Sequence, residues 1–170
     1  MEENNTELPR ESVLSQIADA AETIASEDEN QDLQRCLVFT SGELTLFLST
    51  EYVMEIINDH TITPIPTLPE YIRGVINLRG QILPVVDVRR IMDVASDYSY
   101  TSKTCIIVLN IDSVPIGIIV DNVRSVLDID RSRIHPLPLK KKQTLANGMI
   151  RLEDGTVAMS FDAQALIHLS

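Results

Sequence analysis

The sequence has 170 residues, of which 44% are hydrophobic and 23% charged, and its net charge is -11. A chain of this length and composition can bury one or two modest hydrophobic cores, and its apolar runs fall far short of the roughly 20 residues that a membrane-spanning helix needs. Since residues 1–30 also lack a basic segment followed by an uninterrupted apolar one, we expect a cytoplasmic protein without direct membrane insertion.

The acidic charge is concentrated at the N-terminus. Residues 1–35 contain ten acidic and two basic residues (net -8), whereas residues 36–170 contain fifteen and twelve (net -3). Nucleic-acid binders need basic grooves with stacking aromatic rings, but this sequence has no Trp. A small-barrel nucleic-acid binder that uses the three lysines at 140–142 is therefore a minor hypothesis, and it predicts an affinity that falls steeply with salt.

The first predicted element is an amphipathic helix over residues 11–26, where apolar residues recur at helical spacing. These residues are Val13, Leu14, Ile17, Ala20, Ala21 and Ile24. A short isolated helix is marginal in water, so two interpretations stay open. The helix is either frayed and followed by a solvated acidic linker, or it docks on the body or on a partner. We define residues 1–34 as an acidic extension.

From Cys36 onward, short β-branched runs separated by glycine, proline or acidic turns predict strands. The runs are CLVFT, LTLFL, GVINL, ILPVV, CIIVL, IGIIV and TVAMSF. Helical patterns are limited to residues 88–93 and 162–168, each directly after a strand, and Asp87 is expected to cap the first of these helices. Because Cys36 and Cys105 lack the spacing of a zinc or redox motif, we expect both to be reduced core residues.

The body is predicted to be a duplicated unit, because the segment that starts at Cys36 aligns with the one that starts at Cys105. The aligned pairs include Leu48 with Ile118, Val53 with Val123, Ile56 with Val126, the Pro-x-Pro motifs at 64–66 and 136–138, and Asp87 with Asp162. We therefore expect repeats at about residues 36–94 and 103–169, with their boundary in the polar segment 95–103. A unit of this size with about five strands suits a small barrel, and a groove between two barrels is a natural binding place.

The sequence contains no recognisable catalytic constellation. His60, His135 and His168 are far apart, and motifs for zinc proteases, serine hydrolases and nucleotide binding are absent. Acidic pairs such as Asp128 with Asp130 lie in turn-like contexts, where solvation explains them. We therefore expect neither enzymatic activity nor a metal ion or cofactor.

The stretch LPEYIRGVINLRGQILPVVDVRRIM, with YVMEII before it and GIIVDNVRSVLDI after it, resembles the CheW family of bacterial chemotaxis coupling proteins. The resemblance covers residues 37–169 and implies an all-β domain of two similar five-stranded SH3-like barrels without enzymatic activity. It also implies a bridge between the cytoplasmic tips of chemoreceptors and the regulatory domain of the chemotaxis histidine kinase, within membrane receptor arrays. The alternative is a CheW-like paralogue that scaffolds a different receptor or kinase system.

Four residues are candidate partner contacts. The resemblance implies that Arg79 matches the arginine implicated in receptor and kinase coupling, and that Glu55 matches the family's acidic residue after the second strand. Val53 and Ile56 beside Glu55 would supply an apolar patch for a helical receptor tip, although both are also plausible core residues. Arg79 lies between a leucine and a glycine, so its side chain must extend to solvent or pair with a carboxylate.

Two glycines and two serines complete the set of residues singled out by the sequence. Gly74 and Gly80 flank a predicted strand, and each is expected to supply a positive φ or a close backbone approach at a turn. Ser125 stands where the family often has an acidic residue, and Ser160 where an aliphatic residue is usual. These departures bear on partner specificity rather than on the fold.

Overall fold

Strands dominate the structure, which is a computed structural model that describes residues 13–19, 31–58, 60–92, 99–137 and 145–169. The strands in these ranges are β1 (Leu33–Ser41), β2 (Leu44–Ser49), β3 (Val53–Ile57), β4 (Ile72–Leu78), β5 (Gln81–Asp87), β6 (Cys105–Ile111), β7 (Val114–Val120), β8 (Asn122–Asp130), β9 (His135–Pro136), β10 (Ala146–Arg151) and β11 (Val157–Phe161). The helices are α1 (residues 13–19), α2 (Val88–Met92) and α3 (Ala163–Ile167).

The strands form two sheets that each combine both halves of the chain. The first sheet has the order β8-β1-β2-β11-β10-β9, and the second has the order β3-β6-β7-β5-β4. The first two strands of each half thus pair with later strands of the other half. Each sheet therefore contains strands from both halves, an arrangement that we call interleaving. The prediction of an all-β fold with two similar SH3-like subdomains is confirmed.

The two sheets are equivalent in strand order, register and irregularities. In the first sheet β2 pairs with β11 in parallel, and in the second β7 pairs with β5 in parallel. A bulge at Arg124 in β8 corresponds to a bulge at Met54 in β3. The two-residue strand β9 corresponds to an isolated bridge between Thr63 and Val75. The predicted repeat boundary at 95–103 lies partly outside the described residues and stays a prediction.

The alignment of Cys36 with Cys105 is wrong by one residue. Leu37 pairs with Leu48 in the first sheet, and Ile107 pairs with Ile118 in the second, so the equivalent of Leu37 is Ile107. Cys36 points into the interior of the first sheet, whereas Cys105 points into the core between the sheets. An error of one residue reverses the face of a strand, and apolar residues on both faces hid this error in the sequence.

Three hydrophobic clusters explain why the central strands are apolar on both faces. One cluster lies between the sheets and contains residues from β1, β2, β6, β7 and the helices α2 and α3. A second lies in the interior of the barrel formed by the first sheet and includes Val38, Phe47 and Ile150. A third lies in the interior of the barrel formed by the second sheet and includes Ile76 and Val108. Each central strand therefore supplies alternate side chains to two different cores.

The two sheets are also linked by a buried polar network around Arg89 of α2, whose side chain is only 1% exposed. The Arg89 guanidinium donates to both carboxylate oxygens of Asp87, each at 3.0 Å, and to Asp121 at 3.1 Å. It also donates to the carbonyl oxygen of Ser99 at 2.9 Å. Asp121 in turn accepts from the backbone N–H of Gly42, in the β1–β2 turn of the first sheet. The network thus joins α2 to both sheets.

Burial and charge shift the titration of the Arg89 and cysteine side chains. Desolvation acts to lower the pKa of Arg89, but its hydrogen bonds and the nearby carboxylates of Asp87 and Asp121 raise that pKa above the ordinary value. Desolvation, with a contribution from Asp128, raises the pKa of the Cys36 thiol to about 11, and desolvation also raises the pKa of Cys105. Both cysteines are free and buried, which confirms the prediction for them.

The three predicted helices have separate outcomes. Both short helices after strands are confirmed, although Asp93 lies outside the described residues. Asp87 accepts a hydrogen bond from the backbone N–H of Arg89 at 3.1 Å, as a capping residue does, and Asp162 accepts one from Ala165 at 3.2 Å. In the N-terminal extension, residues 13–19 are helical. The rest of the helix expected over 11–26 lies outside the described residues.

Candidate protein-docking site

The strand β3 forms one edge of the second sheet and carries three of the four candidate contact residues. Its side chains alternate between half-buried and exposed. Val53 packs against the core between the sheets, and Glu55 is half-buried. Met54 and Ile56 point outward, with exposed fractions of 51% and 41%. The exposed apolar side chains of this edge are thus the candidate residue Ile56 and Met54, which the sequence analysis did not single out, whereas the candidate Val53 packs against the core.

Arg79 lies in the tight turn between β4 and β5. Leu78 pairs with Gln81, so that Arg79 and Gly80 form a two-residue loop. Their φ angles of 52° and 84° are both left-handed, as in the hairpin turns that match the twist of a sheet. The side chain of Asn77 stabilises the loop by accepting a hydrogen bond from Gly80 at 2.9 Å.

Gly74, at the start of the same hairpin, has a φ of 139°. A Cβ atom there would lie 2.1 Å from the carbonyl oxygen of Thr63. Both the backbone angle and the close approach to Thr63 therefore require glycine.

Arg79 and Glu55 form an ion pair with two hydrogen bonds. The Nη1 and Nη2 atoms of Arg79 donate to Oε1 and Oε2 of Glu55, at 2.8 Å and 3.0 Å. The Arg79 side chain is 77% exposed and the Glu55 side chain 27% exposed. Since guanidinium has five N–H donors, the pair leaves Arg79 with donors that face solvent and fixes their orientation.

The ion pair also brings together the two edges of the second sheet. Strands β3 and β4 are last in the sheet order at opposite ends. Glu55 on β3 contacts Arg79 at the end of β4, and His60 after β3 contacts the carbonyl oxygen of Asn77 at 3.1 Å. The sheet therefore curls until its edges meet, which protects strand edges from unwanted pairing.

The corresponding place in the first sheet is built differently. Ser125 pairs with Val38 as Glu55 pairs with Val108, and the turn opposite Ser125 contains Glu153 and Asp154 instead of an arginine. Serine cannot form the equivalent ion pair. An open cleft lies there, lined by Ser125, Leu127, Asp128, Ile150, Glu153 and Asp154 among others. The departure at Ser125 was the signal in the sequence for this difference.

Other kinds of site receive no support from the described part of the chain. Within those residues, no group of three or more potential metal-ligating side chains comes together. No helix there is long and apolar enough to cross a membrane. The lysines at 140–142, considered above as a nucleic-acid contact, lie outside the described residues.

Comparison with known proteins places these features in a family. The family model of the CheW-like domain matches residues 35–170. A protein named Chemotaxis protein CheW from Thermotoga maritima is 30% identical over 133 residues, which cover 78% of this chain and 86% of that protein. The corresponding protein of Klebsiella aerogenes is 37% identical over 105 residues, or 62% of this chain and 63% of the Klebsiella protein, so this match spans less than two thirds of that relative.

One solved structure has a similar fold over most of the chain. It is the crystal structure of scaffolding protein TtCheW from Thermoanaerobacter tengcongensis, with a TM-score of 0.70 and 30% identity. The similarity covers 76% of this chain and 88% of that structure. A further relative, Protein FrzA of Myxococcus xanthus, is 31% identical over 106 residues, covering 62% of this chain and 66% of FrzA.

Proposed function

Because the chain belongs to the family of CheW-like domains, we propose that it is a non-enzymatic chemotaxis adaptor. It couples the cytoplasmic tips of chemoreceptors to the regulatory domain of the chemotaxis histidine kinase, in the cytoplasm at membrane receptor arrays. The observation that carries the proposal is the exposed Arg79–Glu55 pair beside the outward-facing Met54 and Ile56. Similarity to proteins named for chemotaxis and to a scaffolding protein supports this assignment.

The geometry of this edge suits a helical partner. Met54 and Ile56 offer apolar area at the exposed edge of β3, and such side chains fit the apolar face of an amphipathic helix. Arg79 supplies the remaining donors of a guanidinium that Glu55 already orients. Contact with a partner would remove water from the pair and strengthen its electrostatic interactions, which favours one register of docking over others.

The proposal predicts that Arg79→Ala and Glu55→Ala impair binding far more than folding. An exposed ion pair contributes about 0 to 1 kcal/mol to stability, so the free energy of unfolding should change by no more than about 1 kcal/mol. Loss of a partly desolvated charged contact at an interface costs about 2 kcal/mol or more, close to a thirtyfold weakening. Calorimetric titration against a receptor cytoplasmic hairpin and, separately, against the kinase regulatory domain measures the loss for each partner.

A matched control exists in the first sheet. Arg131 also forms two hydrogen bonds to a carboxylate, at 2.7 Å and 3.1 Å to Asp32, in an exposed position. Arg131→Ala should leave both affinities unchanged. If Arg79→Ala instead unfolds the protein while the remaining folded fraction binds normally, the pair serves folding and the partners dock elsewhere.

A double mutant shows whether the two residues act as a unit. Residues in direct contact usually have coupled effects, so the combined variant should lose less affinity than the sum of the two single losses. Full additivity, within about 0.5 kcal/mol, would mean that Arg79 and Glu55 contact the partner independently.

The alternative is a paralogue that scaffolds another receptor or kinase system, and the similarity to FrzA keeps this alternative in view. The same titrations separate the two hypotheses. A chemotaxis adaptor binds at least one of the two chemotaxis partners through the Arg79 surface. A paralogue of another system would bind neither, although its fold and its Arg79–Glu55 pair would be unchanged.

A further inference from the structure

The helix α1 presents apolar side chains that no part of the described structure covers. Val13, Leu14 and Ile17 are 53%, 65% and 60% exposed. They share one side of the helix, whereas Ser15 lies on the opposite side by helical spacing. Exposed apolar residues grouped on one helix face are typical of a surface that docks on a partner.

A groove on the outer side of the first sheet has the chemistry to receive this helix. It is lined by Arg133, His135, Met149, Ile150, Arg151 and Val157, which we call the basic groove. Val157 is 45% exposed. Val157 pairs with Arg151, and Met149 pairs with His135, so each pair places an apolar residue beside a basic one. The groove thus combines apolar area with positive charge.

The charges of the extension and of the basic groove are opposite. The extension through residue 35 has ten acidic and two basic residues. Arg133 and Arg151 form no ion pair within the described ranges. The pKa of Asp130 is lowered mainly by its hydrogen bond with Ser132, and the charge of the nearby Arg133 contributes to that lowering. Both arginines are exposed. They also line the neighbouring cleft with Glu153 and Asp154, and from the groove they can receive carboxylates of the extension.

The chain enters the body beside this groove. Arg131 holds Asp32 through two side-chain hydrogen bonds and through a backbone hydrogen bond of 2.9 Å to the Asp32 carbonyl. Arg133, at the rim of the groove, is only two residues further along. The twelve residues from 20 to 31 can span at most about 40 Å when fully extended, so α1 can reach the groove without strain.

We propose that the basic groove is the docking site of the chain's own helix α1, with Val13, Leu14 and Ile17 against Met149 and Val157. This contact goes beyond the proposed adaptor function, because it assigns a role to the extension that lies outside the CheW-like domain. The docked helix covers the outer side of β10 and β11. A partner that approaches this side of the first sheet has to displace it.

A nitroxide attached to Ser15→Cys tests the docking directly. The two native cysteines are 3% and 4% exposed, so the new cysteine is labelled selectively. With methionine methyl groups labelled by ¹³C in the full-length protein, we expect the Met149 signal to be lost and the Met54 signal, on the second sheet, to persist. Persistence of both signals, or equal loss of both, overturns the proposal.

Variants separate specific docking from nonspecific contact. Leu14→Asp with Ile17→Asp should restore the Met149 signal, and so should Arg133→Glu with Arg151→Glu. Lys103→Glu, which changes an exposed charge outside the groove, should leave the signal lost. Amide spectra of each variant confirm that the body stays folded. Loss of the signal in either double variant contradicts the proposed contact.

A mixed sample identifies the source of the helix. Spin-labelled protein without ¹³C is combined with ¹³C-labelled protein that carries no nitroxide. If the docking is intramolecular, the Met149 signal persists in the mixture. Its loss there would show that the groove takes the helix of a second copy, which overturns the proposal for the chain's own helix.

Discussion

Arg79 and Arg89 show how burial decides what an ion pair does for a protein. The Arg79 side chain is 77% exposed and remains available to a partner. The Arg89 side chain is 1% exposed and its donors are directed to Asp87, Asp121 and Ser99. An exposed pair contributes little to stability, whereas loss of one member of a buried pair leaves an unpaired charge in the interior. The first pair is therefore suited to recognition and the second to holding the sheets together.

We expect Arg89→Leu to lower the free energy of unfolding by about 3 to 5 kcal/mol, because the buried Asp87 would lose both of its 3.0 Å hydrogen bonds from the Arg89 side chain and be left with the longer 3.7 Å contact with the Arg90 guanidinium. Denaturant titration monitored by circular dichroism measures the change. Arg35→Ala is the control, since Arg35 forms a longer 3.6 Å pair with Asp128 at an exposed position. It should change stability by about 0.5 kcal/mol or less. Equal effects of the two substitutions would show that the network around Arg89 adds nothing to stability.

The raised pKa of the Cys36 thiol should make the free energy of unfolding fall as the pH becomes alkaline. Its folded pKa of about 11 lies above that of an unfolded cysteine, so the stabilising contribution of the neutral thiol is present below about pH 8.5 and is lost as pH rises toward the folded pKa. Between those limits the unfolded thiol ionises and the folded one does not. The difference in unfolding free energy between wild type and Cys36→Ala should shrink by about 2 to 3 kcal/mol over this range. A difference that stays constant with pH would contradict the raised pKa.

The sequence could indicate Glu55 and Arg79 as candidate contact residues, but only through the family resemblance. Their contact was not predictable, because the two positions are 24 residues apart and meet only after the second sheet curls. Arg89 was missed for a related reason. In the sequence it is one of two adjacent arginines in a short helix, and nothing local distinguishes the buried Arg89 from its half-buried neighbour Arg90.

At the scale of elements, edge strands were harder to predict than central ones. The runs picked out as strands correspond to β1, β2, β4, β5, β6, β7 and β11. The strands β3, β8, β9 and β10 were not among them, and three of these four, β3, β8 and β9, lie at the outer ends of their sheets. Of the four end strands of the two described sheets, only β4 was picked out. β8 has five consecutive exposed residues, so its sequence lacks the continuous apolar pattern of a strand buried on both faces. Strands are predicted from apolar residues that become buried, so a strand with many exposed residues is harder to recognise in the sequence.

The N-terminal extension should be dispensable for folding of the body. Deletion of residues 1–30 removes only side chains outside the three core clusters of the described chain. We expect the melting temperature to fall by less than about 5 °C, or roughly 1 kcal/mol, including the contribution of helix docking. Deletion of residues 1–34 should cost more, because it also removes the start of β1 at Leu33 and the partner of Arg131. Equal losses from both deletions would contradict this boundary.

At the scale of the whole molecule, interleaving was the feature that the sequence left open. The duplicated pattern predicts two equivalent sheets, but it is satisfied equally whether each half forms its own sheet or contributes strands to both. Pairings such as Phe47 with Ser160 decide the matter, and they join residues more than a hundred positions apart. Local propensities and hydrophobic periodicity carry no information about partners at such a separation.

Interleaving predicts that neither half of the body folds alone. A fragment of residues 31–96 contains β1 and β2 of the first sheet but lacks β8, β10 and β11, and residues 97–170 lack the complementary strands. Each fragment should show no cooperative thermal transition, and an equimolar mixture should regain one together with native-like amide chemical shifts. A cooperative transition of either isolated fragment would mean that its strands can form a stable sheet without the other half.

The parallel pairing of β2 with β11 also determines when the protein can acquire its native structure during synthesis. β2 ends at Ser49, but its partner β11 begins only at Val157, 108 residues later. The hairpin of β1 and β2 therefore leaves the ribosome long before the strands on either side of it exist. Until then both edges of an apolar hairpin are exposed, a condition that favours aggregation and slows folding. The first sheet cannot close before β11 has been synthesised.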